Sequence, residues 1–439
     1  MGKKNTIQPI IVHFDLGGSK ISALAGIVDE NGALTILGEE KRESDDIKSG
    51  VIEKITPAAY KINELTKLLQ NSLRIEPIRM VNLSLNPKGM RQSLKTINRA
   101  IERMVTQEFL NKIKNEIKAS INSSKVYTYE IEELEYFIDG KPIENPIGKK
   151  GSNIRIDYRI ITGNLLVQES TERCIERTGL EVDYIHLGID AIATAVLDDE
   201  DKENGCALIS FGASTTTLAI YNDGKLQDTL IVPFGGVNIT KDIQELGIRF
   251  EYAELLKCKK GIAMESLVNE TVNIKAPAED PEKDSILIST SFLATIIEAR
   301  LSEIMEPIFD TINQITYRLQ NGIVITGGAA KLNNLQEFIT EKTGFQVRKG
   351  NHTEWLTEET HEKFFQPEYA QAVGAILLTH DKNEEKKRNE SANNEPRIKG
   401  KFLGKFVKKI NKEMDDLFKY DDFDAKQTQN PEHQEQEIK

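Results

Sequence analysis

Apolar and polar positions near the start of the chain follow a strand rhythm broken by one polar turn. Residues 11–14 and 21–28 are apolar runs joined by Asp15-Leu16-Gly17-Gly18-Ser19-Lys20, which predicts a β-hairpin. The same plan returns in residues 207–226, ALISFGASTTTLAIYNDGKL. Gly212 stands there where Gly17 stood and Ser214 where Ser19 stood, and Asp223-Gly224-Lys225-Leu226 answers Asn31-Gly32-Ala33-Leu34. A repeat over this distance predicts two related halves. Elsewhere the period lengthens. Ile62, Leu65, Leu68, Leu69 and Leu73 keep helical spacing across residues 57–73, and Phe109, Leu110, Ile113 and Ile117 do so across 106–121, with Thr106 and Gln107 near its N-terminal cap. Residues 81–85, 126–138 and 153–162 read as strands, the last two separated by the turn-rich DGKPIENPIGKKG. Residues 252–260, 291–319 and 369–378 read as helices, the second as one or two. A buried-looking strand, 322–325, precedes Thr326-Gly327-Gly328-Ala329-Ala330.

The turns carry candidate chemistry. Gly17 and Gly18 let backbone N–H groups approach an anion, Ser19 adds a hydroxyl, and Lys20 a compact charge suited to phosphate. Asp15 can hold Mg²⁺ through its water shell. Taken alone, that turn is equally a hairpin with a polar tip. Two opposed hairpins and a glycine pair after a late strand change the balance: they describe a nucleotide cleft between two lobes, the actin-like plan.

Composition narrows the rest. With 439 residues, 39% hydrophobic and 29% charged, the chain can bury a large core and divide into several domains. A net charge of −12 argues against general nucleic-acid binding. Cys174, Cys206 and Cys258 lie far apart, which predicts neither a disulfide framework nor a zinc site and suits a reducing cytoplasm. No run of apolar residues is long enough to span a bilayer, and the N-terminus lacks a signal-peptide core.

Residues 397–420 alter that last picture. At about 100° per residue, Phe402, Leu403, Phe406, Val407, Ile410, Met414, Leu417 and Phe418 share roughly 160° of arc, while Lys401, Lys405, Lys408 and Lys412 lie opposite. A strongly amphipathic basic helix predicts docking on an anionic membrane surface; its alternative is a helix folded back on the protein. The polar DKNEEKKRNESANNEP before it predicts a disordered linker, and the acidic residues 421–439 after it a disordered tail.

Several segments together resemble FtsA, the bacterial cell-division family of actin homologues. DLGGSKISALAG resembles that family's first phosphate loop, ENPIGKKGSNIRIDYRIITG its NPxGxxGxxL…HIITG segment, and AELLKCKKG its nucleoside-contacting helix. VPFGGVNITKDI is similar to its GGxxxTxDI segment and GIVITGGAAKL to its adenosine loop. The resemblance covers roughly residues 9–380. It implies an α/β, actin-like, two-lobed fold on a duplicated ribonuclease H-like core, with a small α+β inserted subdomain and a C-terminal amphipathic helix. The implied division is 8–85 with 161–203 as first lobe, 86–160 as the inserted polymer contact, and 204–245 with 321–380 as second-lobe core. Residues 246–320 form its outer subdomain, 381–396 the linker, 397–420 the membrane helix and 421–439 the tail. Implied ligands are ATP and Mg²⁺. The nucleotide set is Asp15, Gly17, Gly18, Ser19, Lys20, Gly212, Ala213, Ser214, Thr215, Gly236, Glu254, Lys257, Gly327, Gly328 and Ala329. Implied partners are the C-terminal peptide of the tubulin-like FtsZ, other division proteins, further copies of the chain and an anionic membrane, at the cytoplasmic face of the inner membrane at the septum.

Departures from the family pattern matter equally. Ser210 replaces an aspartate of the second phosphate loop, Ala213 and Ser214 replace glycines, and Thr217 a second aspartate. Without that carboxylate, hydrolysis is expected to be weak or absent. Gly188 stands where relatives often carry a polar residue, so the catalytic candidates are Asp15 and Asp190. Glu254 and Lys257, three apart on one helix face, suit ribose hydroxyls or a base edge, or form a plain surface ion pair. The rival readings are a pilus-assembly actin-like scaffold and a chaperone-type or sugar-kinase-type ATPase. A sugar kinase needs a sugar pocket and a catalytic aspartate, and a chaperone a substrate domain after residue 380; the sequence presents neither.

Overall fold

The computed structural model describes residues 8–391 apart from 49, 87–88, 281 and 316–318; the expected membrane helix and tail lie outside the described residues. The chain divides into two units, Met1–Lys382 and Asn383–Lys439.

The first lobe opens on β1 (Ile11–Leu16), β2 (Lys20–Val28) and β3 (Leu34–Glu43), paired antiparallel in sequence. A short hairpin, β4 (Ile47–Lys48) with β5 (Val51–Ile52), leads to α1 (Ile55–Leu73), whose Ile62, Leu65 and Leu69 are buried at helical spacing. Then β6 (Met80–Leu85) enters parallel to β1. The chain leaves this sheet for β7 (Arg91–Ala100), α2 (Gln107–Ile121), β8 (Val126–Ile138), β9 (Lys141–Ile143) and β10 (Asn153–Asn164), a separate sheet of order β7-β10-β8-β9. Ile154, Ile156, Tyr158 and Ile160 alternate along β10 toward Leu110, Ile113 and Ile117 of α2, forming a core of their own. Thr106 caps α2, its hydroxyl accepting the Phe109 N–H at 3.1 Å. Strand β7 escapes a hydrophobic pattern because none of its residues is buried; it is held by its ladder to β10.

The return path is α3 (Leu165–Glu176), β11 (Glu181–Leu187), α4 (Gly188–Val196) and α5 (Asp199–Asn204). Strand β11 lies parallel to β6 and completes the order β11-β6-β1-β2-β3. The acidic residues 198–204 fold into α5 through a reciprocal cap between Asp198 and Asp201, and the buried Asp201 pairs with Arg348.

The second lobe repeats the scheme. β12 (Cys206–Phe211), β13 (Thr216–Asn222) and β14 (Lys225–Val232) form an antiparallel meander. After α6 (Gly236–Gln244), α7 (Phe250–Lys260), the hairpin β15 (Asn273–Ala276) with β16 (Ile286–Ser289), and α8 (Thr290–Asn313), β17 (Ile323–Thr326) joins parallel to β12. Then come α9 (Leu335–Thr343), β18 (Val347–Lys349) parallel to β17, and α10 (Ala370–Ser391). The order β14-β13-β12-β17-β18 matches the first sheet strand for strand, in sense as well as position. Helix α10 also corrects an expectation: residues 381–391, expected as linker, continue the helix. Lys, Glu and Arg are good helix formers, and Lys387 donates to Glu384 at 2.8 Å three positions back.

Strand β12 is apolar on both faces. Ala207, Ile209 and Phe211 join the core with α6 to α9, whereas Cys206 and Leu208 face the core that contains α4 and α10. That second core also takes in Ile11, Leu24, Val28 and Leu34 of the first sheet, so it is the joint between the lobes. Within it, α4 and α10 meet backbone to backbone: a Cβ on Gly374 would overlap the Ala191 carbonyl. The inserted sheet reaches the second lobe as well. Gln92 Nε2 donates to the Leu226 and Gln227 carbonyls at 2.7 and 3.0 Å, and Lys225 bonds Glu135 at 3.1 Å. Among the described residues, no helix is long and apolar enough to cross a membrane.

The Gly374 crossing is testable. Alanine is the better helix former by about 1 kcal/mol, yet its methyl overlaps backbone that cannot move aside. Gly374→Ala should lower unfolding free energy by about 1–3 kcal/mol in urea titration; an unchanged or raised midpoint would refute the tight crossing.

Candidate functional site

The two equivalent hairpin turns close in the same way. The Gly17 N–H bonds the Lys20 carbonyl at 3.0 Å, and the Gly212 N–H bonds that of Thr215 at 2.9 Å. A Cβ at either glycine would press on the same acceptor, at 2.8 and 3.0 Å, so each turn demands its glycine. The tips face each other: a Cβ on Gly18 would overlap the Ser214 side chain. The sequence-predicted groups Asp15 to Lys20 and Gly212 to Thr215 are thus brought together across one cleft. Asp15 and Ser210 are the penultimate residues of the corresponding strands β1 and β12, facing Ser22 and Thr217 on their neighbours.

The third loop is packed by a positive φ. Gly327 has φ +91°, and a Cβ there would sit 2.5 Å from the Phe211 carbonyl oxygen. Gly328 is open by comparison, with Glu368 Cβ 3.8 Å from its Cβ position. Gly236 begins α6 with its N–H given to the Gly212 carbonyl at 3.0 Å, and Val237 N–H to Ala213 at 2.9 Å. The start of α6 therefore seals the second turn. Gly236 also lies beside Ala329, whose Cβ is 3.3 Å from the Gly236 Cβ position.

Glu254 and Lys257 form more than a surface pair. Lys257, with 11% of its side chain exposed, donates to Glu254 at 2.6 Å, Thr240 at 2.8 Å and the Gly236 carbonyl at 3.0 Å. An ammonium has three hydrogens, and all three are committed within the protein. Lys257 is a strut tying α7 to α6, and Glu254, 41% exposed, keeps the accessible oxygens. Thr240 also donates to Glu254, and Cys258 Sγ approaches its other oxygen at 3.3 Å. Burial alone would raise the Glu254 carboxyl; the Lys257 and Thr240 hydrogen bonds outweigh it and leave it below the usual value.

Asp190 requires a correction. It lies two positions beyond Gly188 on α4, which turns it about 200° around the helix, away from the cleft. It faces a cavity of about 300 Å³ beside Arg159, Glu132, Tyr221 and Lys225. Burial first, then Glu130, raises its carboxyl well above the carboxylate range, with Arg159 opposing. The place beside Gly188 is filled instead by Asn86, whose amide a Cβ on Gly188 would overlap. Asn86 Nδ2 donates to Gln371 Oε1 at 3.1 Å, and Gln371 Nε2 donates to Asp15 Oδ1 at 2.9 Å and Ser84 Oγ at 2.8 Å. Burial raises the Asp15 carboxyl, and Lys20 counters this only in part.

Sequence reasoning missed Gln371, Ser84, Asn86, Glu368 and Tyr369. Glu368 pairs with Lys331 of the third loop at 2.8 Å, and Lys20 Nζ sits 5.8 Å above the Tyr369 ring. A signal existed: Gln371 interrupts the apolar run YAQAVGAILL, and Asn82 and Ser84 alternate with buried Val81, Leu83 and Leu85. The donor set fits a nucleotide with its magnesium: two glycine turns that face each other, a carboxylate at the foot of one, and a glycine loop packed on the end of β12. Among the described residues no group of three or more His, Cys, Asp or Glu is placed to hold a metal by itself. The membrane set, Lys401, Phe402, Leu403, Lys405, Phe406, Val407, Lys408, Ile410, Met414, Leu417 and Phe418, lies outside the described residues.

Comparison with known proteins gives these geometries a context. Residues 207–374 match the family model described as cell division protein FtsA. Cell division protein FtsA of Borreliella burgdorferi is 27% identical over 418 residues, covering 91% of this chain and 98% of that one. The Escherichia coli K12 protein of the same description is 27% identical over 425 residues, covering 93% and 98%. Among solved structures, a PilM–PilN type IV pilus biogenesis complex superposes with TM-score 0.60 at 15% identity, covering 84% of this chain and 98% of that chain. MreB5 of Spiroplasma citri bound to ADP superposes with TM-score 0.53 at 14% identity, covering 86% and 98%. The fold is actin-like, with two mixed sheets of the ribonuclease H kind.

The buried imidazoles behind β1 make a pH prediction. Burial first and His186 second push His13 down to about 3; burial and then Lys382 push His186 down to about 4. Unfolded, both take a proton near pH ~6.5. The unfolded chain therefore binds protons that the native state refuses, and stability falls on acidification from about 6.5. Each imidazole contributes a slope approaching about 1.4 kcal/mol per pH unit. Urea unfolding across this range should show that slope in the wild type and a shallower one in the His13→Asn, His186→Asn double variant.

Proposed function

Because the chain is a distant member of the FtsA family of cell division proteins, we propose that it binds ATP with Mg²⁺ between its lobes, assembles into filaments and holds the division machinery on the membrane. The observation that carries the nucleotide reading is the pair of equivalent, facing glycine turns, with Asp15 at the foot of one and the Gly327 loop beside them. Gly17, Gly18, Ser19 and Lys20 with Gly212, Ala213, Ser214 and Thr215 would hold the phosphates. Glu254, Gly327, Gly328 and Ala329 would meet the nucleoside, and Asp15 the metal through water. Magnesium bound there would neutralise phosphate charge. The ADP of the MreB5 structure supports a nucleotide on this fold.

Three parts of the reading rest on sequence and family. The inserted subdomain, residues 86–160, is proposed as the filament contact. The basic amphipathic stretch 397–420 is proposed as a peripheral anchor on the cytoplasmic face of the inner membrane at the septum. The tubulin-like FtsZ, through its C-terminal peptide, and other division proteins are the proposed partners; nucleic acid is not. The pilus-scaffold alternative shares the fold, whereas the family match favours division.

Hydrolysis should be slow. A phosphoryl-transfer site works by positioning and by charge, and Ser210 brings no carboxylate opposite Asp15. Calorimetry should detect ATP binding in Mg²⁺, Asp15→Ala should weaken it about tenfold or more, and phosphate release should stay far below one turnover per second. Several turnovers per second would sink the slow-hydrolysis reading, and no ATP binding the nucleotide reading. For the anchor, full-length protein should pellet with anionic vesicles, while Phe406→Glu and a truncation after Glu395 should remain in solution. Equal pelleting of the truncated protein would rule the helix out.

A further inference from the structure

We propose that Gln371 is a positioning residue for Asp15, fixing the carboxylate that serves the metal accompanying the nucleotide; this rests on the ATP·Mg reading of the cleft. Gln371 stands in the first turn of α10, and its amide bonds three partners from two segments of the first lobe, the end of β1 and the end of β6 with the residue that follows it. Nε2 gives one hydrogen to Asp15 Oδ1 at 2.9 Å and the other to Ser84 Oγ at 2.8 Å, while Oε1 accepts from Asn86 Nδ2 at 3.1 Å. The amide cannot be turned round, because its carbonyl would then face a carboxylate and its N–H₂ another N–H₂.

The polarity continues behind it. Ser84 Oγ in turn shares a hydrogen bond with His13 Nε2 at 3.2 Å. The network branches at Gln371: Asn86 donates into its carbonyl, and its N–H₂ donates to Asp15 on one branch and to Ser84, with His13 behind, on the other. An amide held on both sides fixes the direction of its bond to Asp15 more firmly than an isolated amide would. The amide engages Oδ1, and among the described residues none donates to Oδ2, so one oxygen is anchored and the other left for a metal-bound water.

The anchor itself is rigid. One turn beyond Gln371, Gly374 lies against the Ala191 carbonyl, so α10 cannot rotate without breaking the contact that joins the lobes. Lys20 is the charged group that acts on Asp15 from the neighbouring strand. It supplies charge but no fixed bond; Gln371 supplies the bond. A site that positions its metal in advance loses less freedom on binding.

The test separates metal coordination from general folding. ATP affinity is measured by calorimetry on the full chain in Mg²⁺ and in EDTA, for the wild type and for Gln371→Met, which keeps the length and removes the amide. The ratio of the two affinities is the Mg²⁺-dependent gain. That gain is expected to fall roughly tenfold in the variant, in line with losing one hydrogen bond to a charged group, while the EDTA affinity changes less than about twofold. Should Gln371→Met melt early without nucleotide, Gln371→Ala supplies the same ratio. A variant with the full wild-type gain overturns the positioning role and leaves the nucleotide site standing, as does an equal loss in Mg²⁺ and in EDTA, the mark of a merely structural residue. A wild type that binds no ATP overturns both.

Discussion

Everything in the main unit depends on the passage of α4 against α10 at Gly374. Two five-stranded sheets of identical strand order need a partner for their inward faces, and these two helices lie in the core between them. Burial of Ile189, Ile192, Val196, Val373, Ile376 and Leu377 supplies the apolar drive. Apolar drive alone is not directional. The absence of a side chain at Gly374 makes it so, because only there can two backbones approach this closely. The spacing of the sheets, and with it the separation of the two glycine turns, follows from that crossing.

The duplication is structural more than chemical. Both turns keep their glycine and their N–H to carbonyl closure, since the strand-to-strand reversal requires them. The chemistry differs between them: next to its last residue one strand carries Asp15 and the other Ser210. A site with one carboxylate binds and orients; a site with two can also organise an attacking water. The surrounding network follows the same division. Gln371, Ser84 and Asn86 serve the Asp15 side, whereas the Ser210 side is sealed by α6 and stiffened by Lys257.

Much of this was legible in the chain. The hairpin echo, the helix capped by Thr106 and the strand before Gly327 are local signals, set by period and by turn chemistry, and local signals survive folding. What failed depended on neighbours. Asp190 looked available because it stood close to Gly188 in sequence; on a helix, two positions reverse direction. Residues 381–391 looked like linker because they had nothing to bury, yet Lys, Glu and Arg extend a helix without burial. Gln371 was hidden for the opposite reason: its partners come from residues 15, 84 and 86, which no window of sequence brings together. Strand β7 is unreadable for a similar cause, as its stability lies in backbone bonds to β10.

The hold of Gln92 on the Leu226 and Gln227 carbonyls, reinforced by Lys225 and Glu135, carries a mechanical consequence. The inserted sheet belongs covalently to one lobe and is pinned to a hairpin of the other, so it spans the hinge like a stay across a joint. If the lobes rotate about the α4–α10 pivot, either those bonds break or the whole sheet swings.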